Sequence, residues 1–149
     1  IYGIKNDFSL KSSTVVSKLI KMCYLAKKNN TDLMVNGDGS PVRDFLYVDD
    51  VNVLTKKVIN NFNDSVWGGG NGSIIFSSGV KSTIKDVVEC IVDSFQFKGK
   101  VVWVTEGPTG QSVKVSNNLK LISLYPDIKF TNLSDGISKT ISWFLENEL

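Results

Sequence analysis

Apolar residues recur along this chain in blocks whose spacing alternates between helical and extended periods. Ser12 or Ser13 can cap a first helix running to about Lys28, whose apolar face uses Val15, Val16, Leu19, Ile20 and Cys23. A short strand at 32–35 is expected to pair, through a glycine turn, with the β-branched and aromatic run at 42–48. Asp49 or Asp50 then caps a second helix that begins at Val51 and runs to about Phe62, with Val51, Leu54, Val58 and Ile59 inward. The nearly all-apolar Ser73-Ile74-Ile75-Phe76-Ser77 predicts a strand of the kind buried on both faces of a parallel sheet. Ile1-Tyr2 reads as the end of another strand.

Thr83 with Asp86 resembles a capping box, Asp replacing the usual Glu, and opens a helix to about Phe95 with the stripe Ile84, Val87, Val88, Ile91 and Phe95. A strand at 100–105, a loop at 106–115 and a short helix near 117–124, stopped by Tyr125-Pro126, come next. A last amphipathic helix at 133–146 is expected to bury Ile137, Ile141, Trp143 or Phe144, and Leu145. Strands alternating with helices define the α/β class.

Composition narrows the classes of function. The 149 residues suffice for one domain with one real core. A hydrophobic content of 42% against 21% charged residues is that of a globular chain, and a net charge of +2 argues for neither a nucleic-acid nor a membrane partner. No apolar run approaches the roughly 20 residues a bilayer span needs. The chain opens on Ile1-Tyr2-Gly3 without a secretory leader, and Cys23 and Cys90 read as reduced core thiols, so the expectation is a cytoplasmic protein. Two cysteines without histidine do not make a usual zinc site. The lack of histidine also means that an acid or base near neutral pH must be another residue type, or come from another chain.

The most informative stretch is Asn36-Gly37-Asp38-Gly39-Ser40-Pro41-Val42-Arg43-Asp44-Phe45-Leu46-Tyr47-Val48-Asp49-Asp50. Its glycines permit a tight reversal, and Arg43 at the start of a strand is a fixed, always-charged fork suited to phosphate. Taken alone, Arg43 is equally a solvated arginine on a surface hairpin. The glycine-rich Trp67-Gly68-Gly69-Gly70-Asn71-Gly72 has neither a strand before it nor a helix with Gly-Lys-Ser after it, and reads as a flexible loop rather than a phosphate cradle.

The order of these motifs resembles the C-terminal half of the extended short-chain dehydrogenases/reductases that act on nucleotide sugars, within the NAD-dependent epimerase/dehydratase family, and in particular its GDP-L-fucose synthase branch. The family's YGPxDNF corresponds to Tyr2-Gly3-Ile4-Lys5-Asn6-Asp7-Phe8, and its WGxGxPxREFLxVDD to the stretch from Asn36. VGxGxxxTI corresponds to Phe76-Ser77-Ser78-Gly79-Val80-Lys81-Ser82-Thr83-Ile84, and the final WFLEN is identical at Trp143-Phe144-Leu145-Glu146-Asn147.

The resemblance implies that residues 1–149 are a substrate-binding region whose strands at 1–2 and 73–77 complete a Rossmann sheet. It implies the binding of a nucleotide sugar by an NADP-dependent epimerase/reductase of GDP-4-keto-6-deoxymannose. Arg43 would grip the diphosphate, Lys114 would be a second ligand to nucleotide or phosphate, and Val15, Leu19 and Val35 would line the base. Lys21 lies one position before a family arginine, whose place Met22 takes. The departures are specific: Thr14 stands at the position of the catalytic histidine, Asn36 replaces a tryptophan beside the base, Gly107-Pro108-Thr109-Gly110 replaces KPDG, and Val113 replaces an arginine. The family's Gly-x-x-Gly-x-x-Gly and its Ser/Tyr/Lys catalytic residues are not seen in the chain. NADP would therefore be bound mainly by a missing Rossmann half or a separate chain supplying it, with a homodimer when complete. By itself the region would expose an apolar edge and associate. Reductases or epimerases of another GDP-, UDP- or dTDP-sugar, and a non-catalytic nucleotide-sugar binding or assembly module, fit the same residues.

Overall fold

The computed structural model describes residues 1–61, 73–106 and 110–149. Helix α1 (Val15–Asn29) buries Val16, Leu19, Ile20, Cys23 and Ala26 and closes on Asn30 in the left-handed region. Lys27 and Lys28 occupy its last turn, the favourable end of the helix dipole for a cation. Strand β1 (Leu33–Asn36) follows, then β2 (Val42–Asp44), helix α2 (Val48–Asn60), strand β3 (Lys81–Thr83) and helix α3 (Ile84–Phe95). Strands β4 (Val101–Val104) and β5 (Val113–Lys114) and helices α4 (Leu119–Leu124) and α5 (Leu133–Asn147) complete the described chain.

The strands form two small sheets. β1 runs parallel to β4 in the register Leu33↔Val101 to Asn36↔Val104. β2 lies between β3, antiparallel, and β5, parallel. One core joins α1, α3 and α5 to the β1–β4 pair, with Tyr2, Phe8 and Tyr47 packed into it.

The expected hairpin between β1 and β2 does not form; the two strands lie in different sheets. The turn between them spends its backbone groups elsewhere. The Gly37 N–H donates to the Val104 carbonyl at 2.7 Å, while the carbonyls of Gly39 and Pro41 accept from Lys85 and Ile84 at the start of α3. Gly37 and Gly39 sit at φ +88 and +78, and the Asp38 carboxylate takes the N–H and hydroxyl of Ser40.

Helix α2 starts at Val48, not Val51, and neither aspartate caps it. Tyr2 fixes the extended residue before it: the Tyr2 N–H donates to the Leu46 carbonyl and the Val48 N–H to the Tyr2 carbonyl. Asp49 and Asp50 therefore fall in the first turn, where the dipole favours carboxylates. The Asp50 carboxylate, 7% exposed, accepts the N–H and hydroxyl of Thr131, both at 2.9 Å. Ile59 is exposed, and Asp50 and Leu54 are the residues of α2 that are fully buried.

Thr14, rather than Ser12 or Ser13, is the N-cap residue of α1, and Val15 points largely outward. The capping box of α3 forms as expected: the Thr83 hydroxyl accepts the Asp86 N–H, and the Asp86 carboxylate accepts the Thr83 N–H. In α5 Phe144 is buried and Leu145 is exposed, because Phe144 continues the Ile137–Ile141 stripe while Leu145 lies one step round the helix. Residues 73–77 form no strand, and Ser77 is the one buried residue among them. Their polar groups bond to side chains instead: the Ser77 carbonyl accepts from Asn118 and the Ser73 carbonyl from Lys120. A strand exists only beside a partner, and none runs along this segment among the described residues. The strand end expected at Ile1-Tyr2 is a single parallel bridge from Tyr2 to Tyr47. The expected Trp67–Gly72 loop and the Gly-Pro-Thr part of the 106–115 loop lie outside the described residues.

Candidate functional site

Strand pairing brings the two basic residues together. Arg43 and Lys114 are register partners on the adjacent parallel strands β2 and β5, about 4.8 Å apart by the spacing of such strands. Both line a cleft of about 420 Å³ whose other walls come from Thr14, Val15 and Val16 at the start of α1 and from Asp44, Phe45, Ile84 and Ser116. The Arg43 guanidinium is held by backbone, donating from Nη1 to the Val42 carbonyl at 2.7 Å and from Nη2 to the Gln111 carbonyl at 2.9 Å. A guanidinium has five donors, so this anchoring leaves others for a ligand. Among the described residues neither Arg43 nor Lys114 has a carboxylate partner. The first turn of α1 adds to the positive field, because Thr14 makes no side-chain cap and its hydroxyl lies 3.4 Å from that of Ser17.

Asp44 is the carboxylate of the lining. Its Oδ2 accepts the Ser77 hydroxyl at 2.6 Å and the Ser116 N–H at 3.1 Å. Histidine and cysteine, the side chains that ordinarily titrate nearest neutrality, are missing from the lining. The arrangement suits holding a dianion and offers no obvious proton shuttle.

The other expected site residues are spread out. Leu19 and Val35 are core residues, 5% and 3% exposed, and do not line the cleft. Asn36 lies in a second cleft of about 260 Å³ made by the 36–41 turn with Ile84, Gly110 and Ser112, and Ile84 is common to both clefts. The Lys21 ammonium sits over the rings of Phe144 and Tyr24, 5.1 and 5.8 Å from their centroids, outside either cleft. Sequence reasoning gave no site role to Asp44 or Ser116. Asp44 adjoins Arg43 in the same motif, but Ser116 reaches the site only because β5 pairs with β2 in a region read as loop. A cleft of equal size between the C-terminal ends of α1 and α3 gathers none of the expected residues, and the Lys27 ammonium already donates to the Phe95 carbonyl there.

Neither thiol is built as a nucleophile. Burial pushes Cys23 up to about 11, and burial with the nearby Asp93, Asp86 and Glu89 carboxylates raises Cys90. Among the described residues no group of three or more His, Cys, Asp or Glu could hold a metal ion, and no helix is long and apolar enough to cross a membrane.

The described residues do not fit NADP. No glycine-rich loop joins a strand to a helix in the manner that cradles its pyrophosphate. The Tyr-x-x-x-Lys spacing occurs twice, at Tyr24/Lys28 and Tyr125/Lys129. The first pair is structural: the Lys28 ammonium lies 5.9 Å over the Tyr24 ring, which packs edge-on to Phe144. Neither pair lines the Arg43 cleft.

An α/β chain with this motif order and these two small sheets has the fold of part of an extended short-chain dehydrogenase/reductase. Residues 1–69 match the NAD dependent epimerase/dehydratase family. The chain is 36% identical to a GDP-L-fucose synthase of Dictyostelium discoideum over 99% of its own length and 45% of that protein's. With a GDP-L-fucose synthase of Escherichia coli it shares 30% over 99% of the chain and 47% of the relative. A crystal structure of a GDP-L-fucose synthetase from Naegleria fowleri bound to NADP superposes with a TM-score of 0.89 at 31% identity, covering 99% of this chain and 44% of that one. The chain thus spans a little under half the length of these relatives, consistent with a C-terminal half.

Proposed function

We propose that this chain is the nucleotide-sugar-binding part of an NADP-dependent epimerase/reductase of the GDP-L-fucose synthase kind, with a GDP-4-keto-6-deoxymannose as substrate. The observation that carries the reading is the side-by-side placement of Arg43 and Lys114 in one cleft with Thr14 and Val15. The diphosphate lies between the two cations, and Val15 supplies an apolar wall. In this reading NADP is held by a Rossmann half supplied elsewhere, to whose sheet the segments at 1–2 and 73–77 add, and the complete protein is a cytoplasmic homodimer. Relatives named GDP-L-fucose synthase at 30–36% identity support the GDP-sugar class. A second reading, binding without epimerisation, is favoured by Thr14 and by a described lining without histidine or cysteine.

Calorimetric titration with GDP-, UDP- and dTDP-sugars, on the wild type and on Arg43→Ala, tests the reading. Hydrogen bonds to charged groups are worth roughly 1.5–3 kcal/mol, so Arg43→Ala should weaken binding about 10–100-fold. Unchanged affinity would remove Arg43 from the diphosphate site, and a preference for UDP- or dTDP-sugars would move the substrate to another branch of the family.

A further inference from the structure

We infer that Asp44 is the positioning residue of this site, its carboxylate locking the segment that carries Lys114 against the strand that carries Arg43. The inference rests on the diphosphate reading above. Strand β5 is two residues long and exposed at both; the chain before it is tied to β2 by the Val42 N–H on the Ser112 carbonyl and by Arg43 on the Gln111 carbonyl, which leaves its far end to be held. Just past it, the Ser116 N–H donates to Asp44 Oδ2 at 3.1 Å, a tie from β2 across the end of β5. The same oxygen accepts the hydroxyl of Ser77, which is 2% exposed, at 2.6 Å. Ser77 is itself pinned: its hydroxyl accepts the Gly79 N–H and its carbonyl accepts the Asn118 side-chain amide, each at 3.1 Å. Gly79, at φ +74, lets the Asn118 amide approach to where a Cβ would stand at 2.7 Å. One carboxylate therefore joins β2, the 73–80 segment and the chain on both sides of Asn117, and it fixes where Lys114 stands relative to Arg43.

A positioning role and a purely electrostatic one have opposite signs. Asp44 is the negative group of a cationic cleft, so if it acted only through its charge, removing it would tighten anion binding. As a lock, its loss should weaken binding. The probe is GDP, titrated against Asp44→Ala, Asp44→Asn, Lys114→Ala and the Asp44→Ala/Lys114→Ala double variant. Asp44→Ala is expected to weaken GDP binding about tenfold, the loss expected if the Lys114 contact goes. Asp44→Asn, whose amide oxygen still accepts both donors, should stay near wild type. In the Lys114→Ala background, Asp44→Ala should cost little more, because both act through one contact. Amide hydrogen exchange should rise at 113–116 in Asp44→Ala, with α1 and α3 unchanged as the internal control for folding. Tighter or unchanged GDP binding in Asp44→Ala, an undiminished effect in the Lys114→Ala background, or unchanged exchange at 113–116 would overturn the inference. If Arg43→Ala and Lys114→Ala both leave GDP binding intact while exchange at 113–116 still rises, the diphosphate reading fails and the lock stands as a structural tie alone.

Discussion

Gly136 on α5 sets two known effects against each other, and the structure decides between them. Replacing an interior helix glycine by alanine ordinarily stabilises a helix by about 1 kcal/mol. Here a Cβ would stand 2.0 Å from Tyr2 Oη and 2.8 Å from Cζ, far inside contact distance. Tyr2 cannot easily retreat. It is 1% exposed, its backbone is bonded on both sides to the Leu46–Val48 segment, and its ring packs against Tyr47 and Phe45 at centroid distances of 5.6 and 6.3 Å. Moving it also breaks the hydroxyl's bond to the Leu133 carbonyl at 3.4 Å. An overlap this deep puts the cost in the upper part of the usual overpacking range, about 2–3 kcal/mol, which outweighs the propensity gain. Gly136→Ala should therefore lose about 1–2 kcal/mol net, lowering Tm by about 2–8 °C for a chain of this size. Urea denaturation and thermal melts measure it directly. Tyr2→Phe removes the nearest atom, so the double variant should recover part of the loss. A Gly136→Ala protein as stable as wild type would refute the close packing of α5 against Tyr2.

Two further outcomes follow from buried groups. Asp50→Ala removes both bonds to Thr131 and should cost about 2–3 kcal/mol in urea denaturation, while Thr131→Val, which loses only the hydroxyl, costs about 1 kcal/mol. The double variant should match Asp50→Ala alone, and an Asp50→Ala loss below about 0.5 kcal/mol would rule out the tie. The Cys23 thiol, raised by burial from 9.0 to about 11, holds its proton longer folded than unfolded. Its contribution is full below pH 9 and is lost as pH rises from there towards 11, so wild-type stability should fall more steeply across that window than that of Cys23→Ala. Equal slopes would assign the alkaline loss to other groups.

What the sequence made legible were features whose cause is local. The capping box of α3 needs only Thr83 and Asp86 three residues apart, and the stripes of α1, α3 and α5 repeat at helical spacing, so these elements are readable. Pairing is not local. The partner of β1 is β4, far along the chain, and a glycine turn between two apolar runs gives no sign that its Gly37 N–H bonds to β4 and its Gly39 and Pro41 carbonyls to α3. Asp50 reads as a cap because Asp before a helix ordinarily is one, yet its partner Thr131 lies in the loop before α5. The site divides the same way. Arg43, Lys114, Thr14 and Val15 meet in one cleft, whereas Leu19 and Val35 belong to the core and Lys21 to the aromatic cluster with Phe144. An apolar residue carries no mark in sequence of whether it faces a ligand or a neighbouring helix.

The cleft's chemistry also bears on what the whole protein must obtain from elsewhere. A group that moves protons effectively near neutral pH has its own pKa nearby, and such catalysis contributes about 10²–10⁴ in rate. The described lining offers two cations, one carboxylate oxygen engaged by two donors, and hydroxyls whose protons leave only far above neutrality. A cation fixed by backbone carbonyls, as Arg43 is, is good at holding charge in place, because little ordering remains to be done when an anion arrives. The same rigidity does nothing to move a proton. In the proposed reading the cleft is organised for capture, and a bond-changing step on a bound sugar nucleotide would draw on groups outside the described lining.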